Sequence, residues 1–136
     1  MAVIFPSPEW LKSLEAKLNS DTHYAEIARK WEGDLAFEIQ PSGPVAGPIY
    51  YYLDLWHGTC RKAEVLEDLT AVKPVFVLRA PYENMARILK GELDPMQAMM
   101  TRKLQVQGNM AYMMRNVPVV LDFVRCAREV TSEILV

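Results

Sequence analysis

The sequence predicts an α+β fold, with a five-stranded, largely antiparallel sheet and helices packed on one of its faces. Between residues 35 and 80, four consecutive segments place apolar side chains at alternating positions and are joined by short loops. On both sides of them the apolar period becomes that of a helix, and a fifth alternating segment follows a helical crossover. With 51% apolar and 24% charged residues over 136 positions, the composition indicates one globular domain spanning residues 1–136.

Two helices are predicted at the N-terminal end. Ser7 and Pro8 favour the start of the first, as an N-cap and a first-turn residue. Its apolar stripe consists of Trp10, Leu14 and Leu18. A second helix is predicted from Thr22, with a stripe that reaches Trp31 and a stop signal at Gly33.

Four strands are predicted next, in the segments DLAFEIQ, IYYYLDLWHG, TCRKAEVLED and KPVFVLRA. The second strand carries aromatic side chains on the face opposite its aliphatic one, so neither face is purely polar. His57 and Gly58 predict a two-residue hairpin turn before the third strand. The fourth is apolar on both faces, which is typical of a strand inside the sheet. The fifth, KLQVQG, follows a helical crossover, and such a connection allows parallel pairing with a neighbour.

Helical periods return after the fourth strand. PYENMARILKG, DPMQAMMTR and NMAYMM predict three short helices, with Asp94 and Asn109 as N-caps of the second and third. A longer helix, VPVVLDFVRCAREV, is predicted near the C-terminus, with an apolar stripe that includes Val120, Phe123 and Val124.

Composition and charge exclude several classes of protein. Fifteen basic and seventeen acidic side chains give a net charge of −2, which argues against a nucleic-acid partner. No apolar run approaches the roughly 20 residues needed to span a bilayer. The N-terminus lacks the pattern of a signal peptide, and the C-terminus matches no peroxisomal or retention signal. Cys60 and Cys126 are expected to be reduced thiols, and the expected location is the cytoplasm.

Motifs for covalent chemistry are missing from the sequence. It contains no phosphate-binding glycine loop, no nucleophile elbow and no convincing zinc-ligand spacing. His57 and Cys60 are close enough in sequence to form a nucleophilic pair, but a turn histidine beside a buried thiol is the favoured interpretation. Three acids between residues 64 and 68 are better explained as a solvated strand end than as a cation site. We therefore expect no catalytic residue, no metal and no cofactor.

Six of the eight methionines lie between residues 96 and 114. Methionine is flexible and fills irregular spaces, so this concentration suits either a soft part of the core or the lining of a space that opens. A methionine stripe at helical spacing is more often core. Periodicity alone does not decide between the two.

The stretch from residue 76 to 115 resembles the sterol carrier protein type two family. Gly91–Pro95 match its G-x-L-x-P element, and Ala98 matches the alanine three residues after the proline. Lys103–Met110 match its K-L-x-I-x-G-D-M element. Two departures are Thr101-Arg102, where the family has glycine, and Asn109, which replaces an acid but keeps the capping role. The C-terminus lacks a peroxisomal ending, so the chain is most similar to free-standing prokaryotic members.

The resemblance implies an intracellular lipid carrier whose sheet and helices enclose an apolar tunnel. Implied ligands are fatty acids, fatty acyl-CoAs, phospholipids or sterols, and transfer between membranes implies transient membrane contact. The tunnel lining that we expect is Phe76, Leu78, Met85, Leu89, Met96, Met99, Met100, Leu104, Val106, Met110, Met113, Met114, Val120, Phe123 and Val124. Arg102, Lys103 and Arg115 flank these segments and would contact a carboxylate or phosphate headgroup; the alternative for them is solubility alone.

Two other functions stay open. In the first, the chain is an accessory or sensing subunit, and the apolar helix from 117 to 130 packs on a partner protein or forms a homodimer. In the second, the chain is an enzyme that acts on an acyl substrate with His57 or Cys60.

Overall fold

The computed structural model describes residues 2–136, which form seven strands and six α-helices. In chain order these are β1 (Ile4–Phe5), α1 (Pro8–Ser20), α2 (Thr22–Ile27), β2 (Leu35–Gln40), β3 (Ile49–Trp56), β4 (Thr59–Leu66), β5 (Phe76–Pro81), α3 (Tyr82–Leu89), α4 (Pro95–Met100), β6 (Gln105–Gln107), α5 (Met110–Arg115), α6 (Val117–Val130) and β7 (Glu133–Ile134). A single 3₁₀ turn, Leu69–Ala71, lies between β4 and β5.

Five strands form the main sheet in the order β4-β3-β2-β5-β6, as the predicted α+β fold requires. Antiparallel pairs join β4 to β3, β3 to β2 and β5 to β6, whereas β2 and β5 run parallel. The fourth predicted strand, β5, therefore has a neighbour on both sides, which fits its apolar sequence.

The last strand of this sheet, β6, does not pair in parallel, although its helical crossover allowed that arrangement. β6 pairs antiparallel with β5, placing Val106 opposite Leu78. After β5, the helices α3 and α4 return the chain to the same end of the sheet at which β5 finished. β6 therefore starts there and runs in the opposite direction to β5. The parallel pair is instead β2 with β5, because the β3–β4 hairpin occupies the other edge of β2.

Helix starts and the hairpin turn follow the predicted residues. The side chains of Ser7, Asp94 and Asn109 each accept a hydrogen bond from a backbone N–H three residues later, which caps α1, α4 and α5. His57 and Gly58 have φ angles of 50° and 83°. At Gly58 a Cβ atom would lie 2.5 Å from the carbonyl oxygen of Ala25, so both backbone angle and space require glycine there.

Helix α2 is shorter than predicted. It ends at Ile27, although the apolar period continues to Trp31. Trp31 is still buried, and its indole N–H donates to the Gly33 carbonyl oxygen over 2.8 Å. The periodic burial therefore continues through a turn that is not helical.

Helices cover one face of the main sheet. α1 packs on β4, α3 packs on β5 and β2, and α6 packs on α1 and α2. The two ends of the chain also meet, because β1 and β7 pair parallel in a separate two-stranded sheet. Two-residue strands carry no period, so the sequence did not predict them. Within residues 2–136, no helix combines the length and apolarity that crossing a membrane requires.

Candidate functional site

An apolar cavity lies between the main sheet and the helices. The volume available to the centres of water-sized spheres inside it is about 100 Å³. One water molecule needs only about 10–15 Å³ on this measure. Its lining contains no charged side chain, and carries N–H or O–H groups only on Trp10, Tyr24, Trp31 and Tyr51. The site is therefore suited to an apolar ligand and not to an ionic one.

The cavity runs along the central strand β2. Leu35, Phe37 and Ile39, its three inward side chains, all line it, and they span about 13 Å because alternate residues of a strand lie about 6.6 Å apart. Opposite them, α6 contributes an apolar face, and the Phe37 and Phe123 rings stack at 6.0 Å between the two elements. The cavity is thus elongated.

Aromatic clusters lie near both ends of β5, which runs beside β2. At its start, Phe76 packs against Trp31 and Tyr112, with ring centroids 5.7 and 6.1 Å away. Just after its end, Tyr82 stacks on Phe5, which contacts Trp10. Trp31, Phe5 and Trp10 also line the cavity. Rigid rings therefore limit how far an elongated ligand could extend.

Nine of the fifteen residues predicted to line the tunnel lie on the cavity wall: Leu78, Met85, Leu89, Met99, Leu104, Met113, Val120, Phe123 and Val124. They come from β5, α3, α4, the loop before β6, α5 and α6. The structure thus brings together side chains that are up to 46 positions apart in the sequence, from Leu78 to Val124. That these nine contact a ligand stays a prediction.

The other six predicted residues lie elsewhere. Phe76 is buried in its aromatic cluster, and Met96 and Val106 are partly buried against the core. Placing Met100, Met110 and Met114 on the interior was wrong, because their side chains are 77%, 38% and 48% exposed. α4 and α5 have only six residues each. So few positions do not define the buried side of a helix, and the spacing of the methionines therefore did not show which of them face inward.

Thirteen lining residues were not predicted as part of the site: Phe5, Trp10, Tyr24, Trp31, Leu35, Phe37, Ile39, Tyr51, Leu55, Ile88, Pro95, Val119 and Ala127. Most of them belong to the N-terminal helices and to the inward faces of β2 and β3. Their apolar periods were visible in the sequence and indicated burial, but nothing in a period distinguishes a packed face from a cavity wall.

Arg102, Lys103 and Arg115 are all exposed at the surface. Lys103 precedes the lining residue Leu104, and Arg115 ends the helix that carries Met113. Their predicted contact with a lipid headgroup is compatible with this position but stays a prediction.

His57 and Cys60 do not form a nucleophilic pair. The His57 ring nitrogen Nε2 lies 2.6 Å from the Glu32 carboxylate at the surface. Cys60 is buried, its thiol donates to the Lys62 carbonyl oxygen, and burial raises its pKa to about 12. A thiol in that state is a poor nucleophile, because the thiolate is the reactive form.

An ionic cluster lies where α6 contacts the junction of α1 and α2. A carboxylate oxygen each of Asp21 and Asp122 and the sulfur of Cys126 lie within 4.8 Å of one another. Arg125 donates to both carboxylates, at 2.7 Å to Asp21 and 2.8 Å to Asp122. The hydrogen bonds from Arg125 and from the Tyr24 N–H hold the pKa of Asp21 well below its usual range. This group is therefore an ion pair that joins helices.

Together these features define a class: a single α+β domain whose sheet and helices enclose an elongated apolar cavity. The family model described as the SCP-2 sterol transfer family matches residues 11–120. The chain belongs to this family.

Solved structures agree with that assignment. A crystal structure of sterol carrier protein 2 shares 30% identity, over 92% of this chain and 98% of the other, with a TM-score of 0.84. A protein from Thermus thermophilus, described as possibly a sterol carrier protein, shares 33% identity over 93% and 89%, with a TM-score of 0.82. The sterol carrier protein 2 of Aedes aegypti, solved with palmitate, shares the fold at 20% identity and a TM-score of 0.54, over 86% and 92%. No match was found among curated proteins.

Proposed function

We propose that this protein is a lipid carrier that holds one long apolar chain in the cavity and performs no covalent chemistry on it. The observation that carries the proposal is the continuous apolar wall, to which strands β1, β2, β3 and β5 and all six helices contribute. The fold supports it, because the Aedes aegypti protein holds palmitate in the same fold. The buried state of both cysteine thiols supports the absence of covalent catalysis, and two unpaired cysteines fit a cytoplasmic location.

The expected affinity suits a carrier. Burying about twelve methylenes contributes roughly 10 kcal/mol, and immobilising the ligand costs at least about 4 kcal/mol. The difference corresponds to a dissociation constant in the millimolar to micromolar range. Such a ligand exchanges readily, as delivery to another membrane or protein requires.

The cavity must enlarge to take a long chain. Its lining includes five half-buried side chains, which mark the least enclosed part of the wall: Phe37, Leu89, Val120, Phe123 and Val124. Three of these lie on α6, so we propose that the ligand enters beside this helix. Exposed Arg102, Lys103 and Arg115 would then contact an anionic headgroup outside the cavity.

The accessory-subunit alternative receives less support. It requires the apolar stripe of α6 to be free for a partner, whereas Val120, Phe123 and Val124 lie on the cavity wall. Leu121 is the one large apolar side chain of α6 that is exposed, and a docking face on this helix would need a contiguous apolar patch.

A cavity-filling substitution tests the proposal. Val124→Trp adds bulk on the wall, whereas Leu121→Trp adds it on the exposed side of the same helix. In titrations with a fluorescent fatty acid, we expect Val124→Trp to weaken binding about tenfold or more, a change of about 1.4 kcal/mol, and Leu121→Trp to leave it unchanged.

Lipid extraction of the purified wild-type protein, followed by mass spectrometry, should in addition release stoichiometric acyl lipids. Failure of the wild-type protein to bind any apolar probe, or equal effects of the two substitutions, would contradict the proposal.

A further inference from the structure

Three methionine side chains are exposed at the surface of α4 and α5. Met100 is 77% exposed, Met110 38% and Met114 48%. Met110 and Met114 are four positions apart on α5, so they lie on the same side of that helix. Single exposed apolar residues need no explanation, but methionine is usually buried, and three on neighbouring elements indicate a contact surface.

The two helices border the same edge of the main sheet. They flank the edge strand β6, which has only three residues and is about 7 Å long. The Leu104 N–H donates to the Ala98 carbonyl oxygen at 3.0 Å, so the chain turns directly from α4 into β6. Met99 of α4 and Met113 of α5 both line the cavity. We call the exposed side chains of residues 100–115 the β6 surface.

The β6 surface is positively charged, in a chain with a net charge of −2. Its charged residues are Arg102, Lys103 and Arg115, and all three are exposed. The sequence has no acidic residue between Asp94 and Asp122, so all 17 acidic side chains lie outside this segment. In the part of the chain that the structure describes, none of the three basic side chains pairs with a carboxylate. Their charge is therefore available to an anionic partner.

We propose that the β6 surface docks on the anionic surface of a phospholipid bilayer. Each Lys or Arg near such a surface contributes about fivefold to the affinity, and exposed apolar side chains enter the boundary between headgroups and acyl chains. Flexible methionine side chains suit a fluid layer that has no fixed shape. A second copy of the chain fits less well, because two such surfaces would bring like charges together. This inference deepens the proposed function and rests on it, because it names the bilayer as the partner with which the cavity exchanges its ligand.

Docking by this surface brings the cavity close to the bilayer. Met99 and Met100 are neighbours on α4, and Met113 and Met114 are neighbours on α5. The first of each pair lines the cavity, and the second is exposed. A helix is about 10 Å wide, so the ligand has about that distance to cover. α5 also packs on α6, the helix beside which we propose that the ligand enters.

Variants that remove charge test the docking surface by co-sedimentation with vesicles. The wild-type protein should bind vesicles of equal parts phosphatidylcholine and phosphatidylglycerol at least about tenfold more tightly than vesicles of phosphatidylcholine alone. Arg102→Gln with Lys103→Gln should weaken binding to the mixed vesicles about tenfold or more.

The matched control is Lys12→Gln with Lys62→Gln. It removes the same charge from exposed side chains on α1 and β4, at the edge of the sheet opposite β6. Its affinity for the mixed vesicles should stay within about twofold of the wild type. Equal affinity of the wild type for the two kinds of vesicle, or equal losses in the two double variants, would overturn the inference.

A second pair of variants tests the apolar part of the surface. Met100→Ser should weaken binding to the mixed vesicles about three- to tenfold, because the side chain no longer enters the bilayer. Val65→Ser, at an exposed position of β4, should leave this binding unchanged. Met100→Ser should keep the melting temperature of the wild type and, without vesicles, its affinity for diphenylhexatriene, a fluorescent hydrocarbon. Equal vesicle binding by Met100→Ser and the wild type would overturn the inference.

A third measurement needs no variant. In wild-type protein with ¹³C-labelled methionine methyl groups, bicelles of the two lipids with a spin-labelled phospholipid should broaden the signals of Met100, Met110 and Met114. The buried Met85 and Met99 should be affected much less. Equal broadening of all five signals would overturn the inference.

Two further outcomes separate this inference from its alternatives. A wild-type dimer in light scattering that Met100→Ser dissociates would assign the β6 surface to a second copy of the chain and overturn docking on the bilayer. Failure of the wild type to bind diphenylhexatriene without vesicles would overturn the proposed function, whereas binding of this probe without any binding to the mixed vesicles would overturn only the docking surface.

Discussion

At the scale of single residues, the methionines of the cavity wall give it room to change shape. Met85, Met99 and Met113 come from three different helices and all line the cavity. Methionine is unbranched and rotates about three side-chain bonds, so it can move aside at small cost. A narrow apo cavity can therefore widen around a ligand without displacement of the backbone.

Replacing Met99 and Met113 together by Leu should stiffen the wall. The swap nearly conserves volume, so we expect the free energy of unfolding to change by less than about 1.5 kcal/mol. The range of chain lengths that bind should narrow, because the branched side chains adjust less. Competition titrations with a homologous series of fatty acids measure this range.

The matched control is Met100→Leu with Met114→Leu, which changes two exposed methionines. If both double variants bind the series as the wild type does, the wall does not depend on methionine for its adaptability.

The sequence predicted that methionines contribute to the cavity wall better than it predicted which of them face inward. Met99 and Met113, from the methionine segments, lie on the cavity wall, but Met110 and Met114 share a six-residue helix with Met113 and face outward. In so short a helix the direction of the stripe is set by its tertiary neighbours.

At the scale of secondary-structure elements, Arg125 fastens α6 to the α1–α2 junction. It pairs with Asp21 and with Asp122 and Glu129 on its own helix. Although burial acts in the opposite direction, the hydrogen bonds from Arg125 and His23 hold the pKa of Asp122 below its ordinary value. Since α6 carries much of the cavity wall, this ion pair also anchors that wall to the α1–α2 junction.

Arg125→Met should lower the free energy of unfolding by about 1–3 kcal/mol. Breaking a fully buried pair costs about 3–5 kcal/mol, and the exposure of one third of Arg125 reduces that value. Urea unfolding at neutral pH measures the change, with Arg87→Met as the control, because Arg87 is exposed and has no ion pair within residues 2–136. Equal stability of the two variants would show that the cluster does not fasten the helix.

The same cluster predicts a pH dependence. The folded-state pKa values of Asp21 and Asp122 lie below their ordinary value of 3.8, so the folded state binds fewer protons than the unfolded state near that pH. Their contribution is complete above this value and is lost as the pH falls from about 4 downward. In Arg125→Met the loss over this range should be smaller, which unfolding curves between pH 5 and 2 would measure.

The sequence predicted which segments are helices and which are strands of the main sheet, but it did not predict the direction of β6 or the short strands β1 and β7. The apolar period located the five strands of the main sheet correctly, and the caps at Ser7, Asp94 and Asn109 are where the sequence placed them. The direction of β6 depends on the end of the sheet that the chain reaches after α3 and α4. Tertiary packing of these two helices sets that position. β1 and β7 could not be predicted, because each has only two residues and they pair with each other only after the two ends of the chain meet.

At the scale of the whole molecule, the two chain ends close one side of the domain. The Glu133 N–H donates to the Val3 carbonyl oxygen at 3.2 Å, and the Leu135 N–H donates to the Phe5 carbonyl oxygen at 3.0 Å. Tyr82 donates its hydroxyl to the Leu135 carbonyl oxygen. These bonds hold Phe5 against the cavity end formed with Trp10.

Deleting residues 133–136 should loosen this end. The Phe5 ring would lose its support, so we expect faster hydrogen exchange of the amides at 3–5 and faster release of an apolar probe from the cavity. The control is deletion of Val136 alone, which is 95% exposed and should have no effect. Unchanged probe release after the longer deletion would show that ligands do not pass this end of the domain.

Residues from Phe5 to Ala127 contribute to the wall of the cavity, and this has a consequence for biosynthesis. The parallel partner of β2 is synthesised some 40 residues after it, and α6 emerges later still. A nascent chain that ends before α6 therefore lacks the complete binding site, and pairing over such separations is slow to form. A lipid can enter only after the segment through Ala127 has been synthesised, and by binding only the folded state it stabilises that state by an amount that increases with the lipid concentration. The cellular level of the protein would then report the supply of its cargo.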